Sequence, residues 1–371
     1  MTKSELFNPL NVSSKFAICG LPVRVDSYKT CSFGCKYCFS NGRKIMEFKK
    51  RQMFGNIKWM EKKLDNIHNN NKYSENNFLD NLIKDKYTWH CGGMSDPFQH
   101  IEKTAKITKK IINISKKYNH SILFSTKTDN VYECELDKDL HTFQFSITNI
   151  ENNKKIEPGV PDIDKRYDLY RRLKDDGFKV GIRIQPFIPG ISNEKIIDMF
   201  NDADYFTIEG LKLVPQNIEQ KEYLLDLLQL DRTMFTQKGL LNLKPEIRDE
   251  LYRPVVKSLR KYGIPFSLAD NDFHDVSFSK CCCGEPLCKK TTSFNNTALF
   301  NKYGKKYDIN DIYNELGVYK DCKAYQLFTS NRTEGCKTIW EFYQKRFPRK
   351  SSPFSKRFLY HYDDTWDNME D

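Results

Sequence analysis

Between about residues 20 and 270, short apolar runs alternate with amphipathic segments of helical periodicity. The runs are rich in β-branched and aromatic side chains, which is typical of buried strands. Strands that alternate with helices predict βα units with right-handed crossovers and a parallel sheet. The pattern therefore predicts an α/β fold of the open, partial (β/α)6 barrel type. The predicted strands are residues 21–28, 87–93, 121–126, 143–148, 179–186, 205–209 and 264–268.

The amphipathic segments predict the helices that pack on this sheet. Residues 101–118 place several isoleucines near one face with lysines opposite, and residues 166–176 end at Gly177, a residue that favours a left-handed helix stop. Beyond about residue 271 the alternation fades into a tail rich in Cys, Lys and aromatic residues. We therefore predict a barrel core at 1–270 and a Cys-rich C-terminal extension at 271–371. Three further helices are predicted at 54–67, 194–200 and 245–262.

Composition narrows the class of protein. The 371 residues are 39% hydrophobic, which is typical of a packed globular chain. No apolar run approaches eighteen residues and no secretory signal pattern is present, so we expect a cytoplasmic protein without a membrane partner. In a reducing cytosol the twelve cysteines favour metal or redox chemistry over disulfides.

The formal net charge of +11 suits a polyanionic partner such as nucleic acid. An equally plain interpretation is compositional, because the chain is crowded with Lys, Asn and Ile. Many of its lysines are interleaved with polar residues, as on solvated faces. The charge alone does not decide between the two.

Three cysteines lie within one short segment, DSYKTCSFGCKYCFS. The spacing Cys31-x3-Cys35-x2-Cys38 allows three thiolates from one loop to bind three irons of a [4Fe–4S] cluster, leaving the fourth iron open. A zinc site would need a fourth ligand at matching spacing, and none lies nearby. The loop also follows the first predicted strand, at the carboxyl end where such folds build their sites.

This loop, with Tyr37 before its last cysteine, resembles the radical S-adenosylmethionine superfamily. GGMSDPFQHIEK, STKT and IEPGVPDIDKRYDLYRRLKDDGFKVGIRIQPFIPG are similar to the spore photoproduct lyase-like group within it. The resemblance covers residues 20 to about 200. It implies that S-adenosylmethionine binds the open iron and is cleaved to a 5′-deoxyadenosyl radical, which abstracts hydrogen from a substrate. It also implies an electron donor such as flavodoxin or ferredoxin.

The resemblance carries further roles onto residues of this chain. Lys127 is expected to pair with the cofactor carboxylate, and Tyr37 to lie beside the adenine. The plain alternatives are a surface lysine at Lys127 and ordinary strand filling at Ser146. Asp96 and Glu102 lie in the same motif, but could simply cap a helix or occupy its first turn. The implied cofactor-binding residues are Tyr37, Gly92, Gly93, Ser95, Lys127, Ser146 and Arg183.

One position departs from the group. Gly93 stands where spore photoproduct lyase has the cysteine that donates hydrogen to the product radical, which argues against thymine-dimer repair here. Cys91, two residues earlier, is on the same face of the strand as Gly93 and is the alternative donor. Its plain interpretation is a small buried hydrophobe.

A second group of cysteines lies in the extension, in SKCCCGEPLCKK and beyond. Cys281, Cys283 and Cys288, joined by Cys322 or Cys336, are candidate ligands of an auxiliary iron–sulfur cluster or of structural zinc. The alternative is a thiol-rich loop without metal. The preceding LADNDFHD places Asp270, Asp272 and His274 after the last predicted strand, where an ordinary turn is the preferred interpretation.

The sequence thus predicts a radical S-adenosylmethionine enzyme whose substrate is a nucleic-acid base, in repair or modification. A second enzymatic hypothesis is peptide or protein modification with an auxiliary cluster. A third, of another class, is a zinc-stabilised binding module without catalytic activity. The oligomeric state is not predicted by any pattern in the chain.

Overall fold

The computed structural model describes residues 5–13, 20–38, 40, 52–131, 134–213, 218–236, 241–270, 277, 283–291, 309–324 and 335–346. Among these residues, no helix is both long and apolar enough to cross a membrane.

Most strands belong to one large, mainly parallel sheet. They are β1 (Leu6–Phe7), β2 (Leu10–Val12), β3 (Val23–Val25), β4 (Phe54–Gly55), β5 (Trp89–Cys91), β6 (Ile122–Thr126), β7 (His141–Ser146), β8 (Val180–Phe187), β9 (Tyr205–Gly210), β10 (Lys212–Leu213), β11 (Leu241–Asn242) and β12 (Phe266–Leu268). The main sheet has the order β12-β9-β8-β7-β6-β5-β3-β2, and every neighbouring pair in it is parallel except β2 with β3. Two small pairs, β1 with β4 and β10 with β11, lie outside it.

Helices connect the parallel strands. They are α1 (Ile57–His68), α2 (Phe78–Lys84), α3 (Glu102–Ala105), α4 (Ile107–Lys117), α5 (Ile163–Asp175), α6 (Lys195–Met199), α7 (Ile218–Leu228), α8 (Pro245–Lys261), α9 (Ile309–Leu316) and α10 (Ile339–Arg346). The predicted helix at 101–118 is divided in two, because Lys106 has a left-handed backbone with φ of 53°. Such a residue ends the regular hydrogen-bonding pattern of a helix.

The α/β class and the parallel sheet are confirmed. Each of the seven predicted strands corresponds to a strand of the main sheet. The antiparallel strand β2 at the sheet end was not predicted, and neither were α2 and α7. All three lie where the apolar periodicity is short or interrupted.

The two faces of the main sheet differ in chemistry. Residues aligned across neighbouring strands point to the same face. One aligned row contains Val25, Cys91, Phe124, Phe143 and Val180. All five side chains are fully buried in the main hydrophobic core, which they share with the helices. This face is therefore the helix-covered side.

The opposite face, here called the inner face, is polar. One of its rows contains Arg24, His90 and Leu123. A second contains Ser125, Gln144 and Gly181. A third contains Ser146, Arg183 and Thr207. Residues 283–288 pack against part of this face, since a Cβ on Gly181 would lie 2.8 Å from Cδ1 of Leu287. The row of Ser146, Arg183 and Thr207 lies near the carboxyl end of β7, whose last residue is Ser146.

Candidate active site

The cysteine loop follows β3 at the carboxyl edge of the sheet. Its backbone is fixed by the segment after β7, because Lys36 N–H donates to Ile156 O over 2.9 Å and Gly159 N–H donates to Phe33 O over 2.9 Å. The two segments approach so closely that a Cβ on Gly159 would lie 2.9 Å from the Phe33 Cα. Only glycine fits there without a shift of the backbone.

The three cysteines of this loop are thiols rather than halves of a disulfide. Cys35 is buried, while Cys31 and Cys38 are partly buried. Burial raises the pKa of the Cys31 and Cys35 thiols to about 12. Metal binding has to displace their protons, as is general for thiolate ligands.

Across the part of the chain that the structure describes, no three His, Cys, Asp or Glu side chains surround a position that could hold a single metal ion. A cubane does not need such convergence, because each of its cysteine ligands binds a different iron. The donor set of the loop, three thiols within eight residues with no carboxylate among them, fits an iron–sulfur cluster. The loop is thus chemically suited to the predicted group.

The segment after β5 attaches the loop to the sheet. Ser95, predicted to contact the cofactor, donates its hydroxyl to Tyr28 O over 2.7 Å. The Asp96 carboxylate accepts from the Thr126 hydroxyl at 2.9 Å and from the Lys127 N–H at 2.6 Å. Burial raises the pKa of Asp96 to about 6, although these hydrogen bonds oppose the shift. Both side chains therefore have structural partners at the carboxyl edge.

Lys127 lies at the carboxyl end of β6 and is not a surface lysine. Its ammonium group contacts Glu157 Oε1 at 2.8 Å and donates to Ser146 O over 3.0 Å and to Thr148 Oγ1 over 3.4 Å. The same ammonium lies 5.6 Å from the centre of the Tyr37 ring. The structure thus brings together Lys127, Tyr37 and Ser146, three of the residues that the sequence predicted.

Glu157 is the central acceptor of this group and was not predicted. The Tyr37 hydroxyl donates to its Oε1, and Asn149 donates to its Oε2 over 3.4 Å. Burial alone would raise the pKa of Glu157, but the positive charges of Lys127 and Arg166 outweigh this and hold the pKa below its usual value. Glu157 therefore remains ionised in a nearly dry position.

Arg166 of α5 is the second cation of the group and was also missed. It is 2% exposed, and its guanidinium donates to Ser146 O over 3.2 Å. Both Lys127 and Arg166 therefore converge on the end of β7. A sequence signal was present, because Arg166 falls on the apolar side of a helix that otherwise buries Ile163, Leu169 and Leu173.

The two predicted glycines have different environments. Gly92 has a φ of +102°, and a Cβ there would lie 2.0 Å from the Ser125 carbonyl oxygen. Gly93 has room for a Cβ, whose nearest neighbour would be the His90 ring at 3.7 Å. Close approach of the backbone therefore requires glycine at position 92 but not at position 93.

Ser146 and Arg183 are aligned neighbours on β7 and β8, on the inner face. The carbonyl oxygen of Ser146 accepts hydrogen bonds from Lys127 and Arg166. The Ser146 hydroxyl takes no part in these two bonds. The Arg183 side chain donates from Nε to Gln185 on the same strand. The pair lies beside the Lys127 group, at the edge that the sequence predicted.

Cys91 lies on the helix-covered face, opposite to His90. Its thiol is fully buried and lies 3.9 Å from the hydroxyl of Ser27, which in turn contacts Thr108 of α4 at 2.9 Å. The strand therefore turns this thiol away from the inner face, which fits the plain interpretation of Cys91 as a small buried hydrophobe. The role of Cys91 as a hydrogen donor stays a prediction. The buried position of its thiol on the helix-covered face does not support that role.

The C-terminal cysteines are divided between two places in the part of the extension that the structure describes. Cys283 and Cys288 pack with Leu21 and Leu123. Cys322 instead receives a hydrogen bond from Asn81 over 3.5 Å and belongs to the main core, against which Cys336 also packs. The structure does not bring these two pairs together into one site, and Cys281 lies outside the described residues.

Asp270 fits the preferred interpretation of an ordinary structural residue. Its carboxylate accepts from Gly210 N–H at 2.9 Å and from the Tyr252 hydroxyl at 2.7 Å, and it lies 3.1 Å from Arg248 Nη1. These contacts connect the ends of β9, α8 and β12. Asp272 and His274 lie outside the described residues.

One curated relative decides the family. The uncharacterized protein MJ0683 of Methanocaldococcus jannaschii is 31% identical over 223 residues, which cover 57% of this chain and 78% of that protein. The chain belongs to the family of MJ0683. No family model matches the chain.

Solved structures identify the fold. A cysteine variant of spore photoproduct lyase has a TM-score of 0.51 at 16% identity and covers 71% of this chain and 82% of that one. A double variant of the same enzyme, with bound AdoMet and dinucleoside spore photoproduct, has a TM-score of 0.50 at 17% identity, covering 69% and 79%. The resemblance to the spore photoproduct lyase-like group of the radical S-adenosylmethionine superfamily is thus confirmed at the level of the fold.

Proposed function

We propose that this chain is a radical S-adenosylmethionine enzyme whose [4Fe–4S] cluster is held by Cys31, Cys35 and Cys38. When bound, the cluster and its cofactor would supply reductive cleavage of the sulfonium and a 5′-deoxyadenosyl radical for hydrogen abstraction. The observation that carries the proposal is the position of the three thiols. They lie on one rigidly anchored loop at the carboxyl edge, beside polar side chains from two neighbouring strands.

The residues of the chain would bind and orient the cofactor. Lys127 places an ammonium group next to the loop. Its positive charge lowers the pKa of the Cys35 thiol, against the larger effect of burial. The ammonium contacts Glu157, Ser146 O and Thr148 Oγ1, which together use its three donors, so a cofactor carboxylate would replace one of these contacts. At the end of β5, Gly92 leaves the backbone without a side chain, which would collide with the Ser125 carbonyl. A cofactor could approach this stretch of backbone closely.

We propose that the main sheet forms a partial barrel, with the substrate bound between its inner face and the cysteine loop. The partly exposed positions of the inner face carry donors and acceptors, including His90, Ser146 and Arg183. Gln144, on the same face, is buried and bonds to Thr207. Such a face suits a polar, ring-shaped substrate with several hydrogen-bonding atoms. A nucleic-acid base has this chemistry, and the net charge of +11 favours its polyanionic backbone. The electron donor would be a small reductant such as flavodoxin or ferredoxin.

The test of this proposal is anaerobic reconstitution with iron and sulfide. We expect about four irons per chain at the first site and a change in the electron paramagnetic resonance spectrum of the reduced protein when S-adenosylmethionine is added. Alanine at Cys31, Cys35 or Cys38 should prevent cluster retention. Cys134→Ala is the matched control, because Cys134 is also a partly buried thiol but lies outside the loop. Wild-type protein without iron, or an equal iron content in all variants, would contradict the proposal.

A further inference from the structure

Gln99 lies directly beneath the cysteine loop and is 1% exposed. Its side-chain Oε1 accepts from the Ser32 N–H over 2.7 Å, and its Nε2 donates to Thr30 O over 2.6 Å. Thr30 and Ser32 are the residues immediately before and after Cys31. One buried amide therefore fixes the backbone on both sides of a single cysteine.

This double contact is specific to glutamine. It needs one donor and one acceptor on the same planar group, at the end of a side chain long enough to reach the loop. Glutamate would keep the acceptor for Ser32 but place an oxygen against the Thr30 carbonyl. Methionine has a similar length but satisfies neither group, so both buried backbone groups would lose their partner.

The backbone on either side of Cys31 also controls the surroundings of its sulfur. The backbone N–H groups of Asp96 and Phe33 lie near the Cys31 sulfur and lower the pKa of its thiol, against the larger effect of burial. Hydrogen bonds to cluster sulfurs tune the reduction potential of iron–sulfur sites. A displacement of residues 30–32 would move the Cys31 sulfur relative to both N–H groups.

The segment that carries Gln99 has other anchors, so its own position does not depend on this side chain. Asp96 is bonded to the end of β6. Glu102 accepts from the N–H groups of Thr108 and Lys109 at the start of α4, each at 2.9 Å. The side-chain hydrogen bonds of Gln99, by contrast, are made to the cysteine loop.

We propose that Gln99 is a positioning residue that holds Cys31 in the conformation needed for the cluster. The inference rests on the proposed function and deepens it, since it assigns to the chain a determinant of cluster retention and potential. Residues that orient metal ligands typically change metal affinity 10–100-fold when replaced. Gln99 acts in this manner through the loop backbone and not by touching the iron.

The test compares Gln99→Met and Gln99→Glu with wild type and with Gln229→Glu, which makes the same charge change at an exposed position. All four proteins are reconstituted anaerobically. The readouts are the rate of iron release to a chelator, the midpoint potential of the cluster, its electron paramagnetic resonance spectrum, and the unfolding midpoint of each metal-free protein.

We expect Gln99→Met and Gln99→Glu to release iron about tenfold faster than wild type or faster, with an altered spectrum and a shifted potential. Gln229→Glu should match wild type. The inference is overturned if the Gln99 variants keep the wild-type spectrum, potential and iron release, or if neither variant folds without metal, because Gln99 would then serve the fold alone. Absence of iron from wild type and Gln229→Glu would instead count against the proposed function.

Discussion

Lys127 contacts Glu157 at 2.8 Å, and both side chains are largely buried, with 13% and 5% of their surface exposed. An ion pair at this depth is weakly screened by solvent, and the loss of one partner leaves an uncompensated charge. The pair therefore links two properties that are measured separately: the stability of the fold and the affinity for an anionic ligand.

Lys127→Met should destabilise the protein by about 3 kcal/mol, because Glu157 would keep its charge without its nearest cation. Chemical denaturation of the metal-free protein measures this effect. Lys117→Met is the control, since Lys117 pairs with Glu61 at the surface, where such pairs contribute about 0–1 kcal/mol. Equal effects of the two substitutions would show that the Lys127 pair is not buried in solution.

Lys127→Met should also weaken binding of S-adenosylmethionine while leaving the iron content unchanged. The ammonium group is expected to bind the cofactor carboxylate, whereas the cluster ligands are on a separate loop. Titration of reconstituted protein with the cofactor, followed by iron analysis, measures both quantities. An unchanged dissociation constant would remove Lys127 from the cofactor site.

Gly92 and Gly93 form a matched pair for testing the backbone geometry. Gly92→Ala should destabilise by about 3 kcal/mol or more, because the new methyl group would collide with the Ser125 carbonyl at a φ that side chains rarely adopt. Gly93→Ala should change the unfolding free energy by less than about 1 kcal/mol, since a Cβ fits there. Thermal or denaturant unfolding of both variants measures these changes. Similar losses of unfolding free energy in Gly92→Ala and Gly93→Ala would refute the difference between the two positions.

A fourth prediction concerns pH and a histidine remote from the cysteine loop. His141 Nδ1 accepts from the Asp137 N–H over 2.9 Å, and Nε2 lies 3.0 Å from the Ser115 hydroxyl. Because Ser115 donates that hydroxyl to Ile112 O, the imidazole must donate through Nε2–H, which leaves Nδ1 without a proton. Burial lowers the pKa of His141 to about 4.

The unfolded chain therefore takes up the His141 proton at a higher pH than the folded one. The neutral His141 side chain therefore contributes about 3 kcal/mol to the free energy of unfolding. This contribution is fully present above about pH 6.5 and is lost as the pH falls towards 4. We expect His141→Gln to reduce the acid-induced loss of unfolding free energy measured between pH 7 and pH 4.5. The variant keeps part of the dependence, because burial also lowers the pKa of His68 and His120. An identical pH profile in both proteins would contradict the assignment.

The sequence predicted the parallel sheet well because its strands are short apolar runs that local composition reveals. It did not predict β2, whose three residues carry no periodic signal, or the break at Lys106, which depends on one left-handed residue. The phase of alternation was also unknown. For that reason the sequence left two interpretations of Cys91 open, an inward-facing donor or a small buried hydrophobe, and the structure places it against Ser27 on the helix side.

The site was predictable where its chemistry is local in sequence. Three cysteines within eight residues are visible without a structure, and the resemblance added Lys127 and Tyr37. Glu157 and Gln99 were missed because they act on distant residues: 120 positions separate Glu157 from Tyr37, and 67 separate Gln99 from Ser32. Only the fold brings such pairs together.

The central claim is that the Cys31–Cys38 loop supports cleavage of S-adenosylmethionine. The most direct measurement is the amount of 5′-deoxyadenosine formed when reconstituted protein is reduced with dithionite under anaerobic conditions. The account predicts its formation by wild type and by Cys134→Ala, and its loss in Cys35→Ala, since the cluster then lacks a ligand. Formation of 5′-deoxyadenosine by Cys35→Ala at the wild-type rate, or by none of the three proteins, would contradict the account.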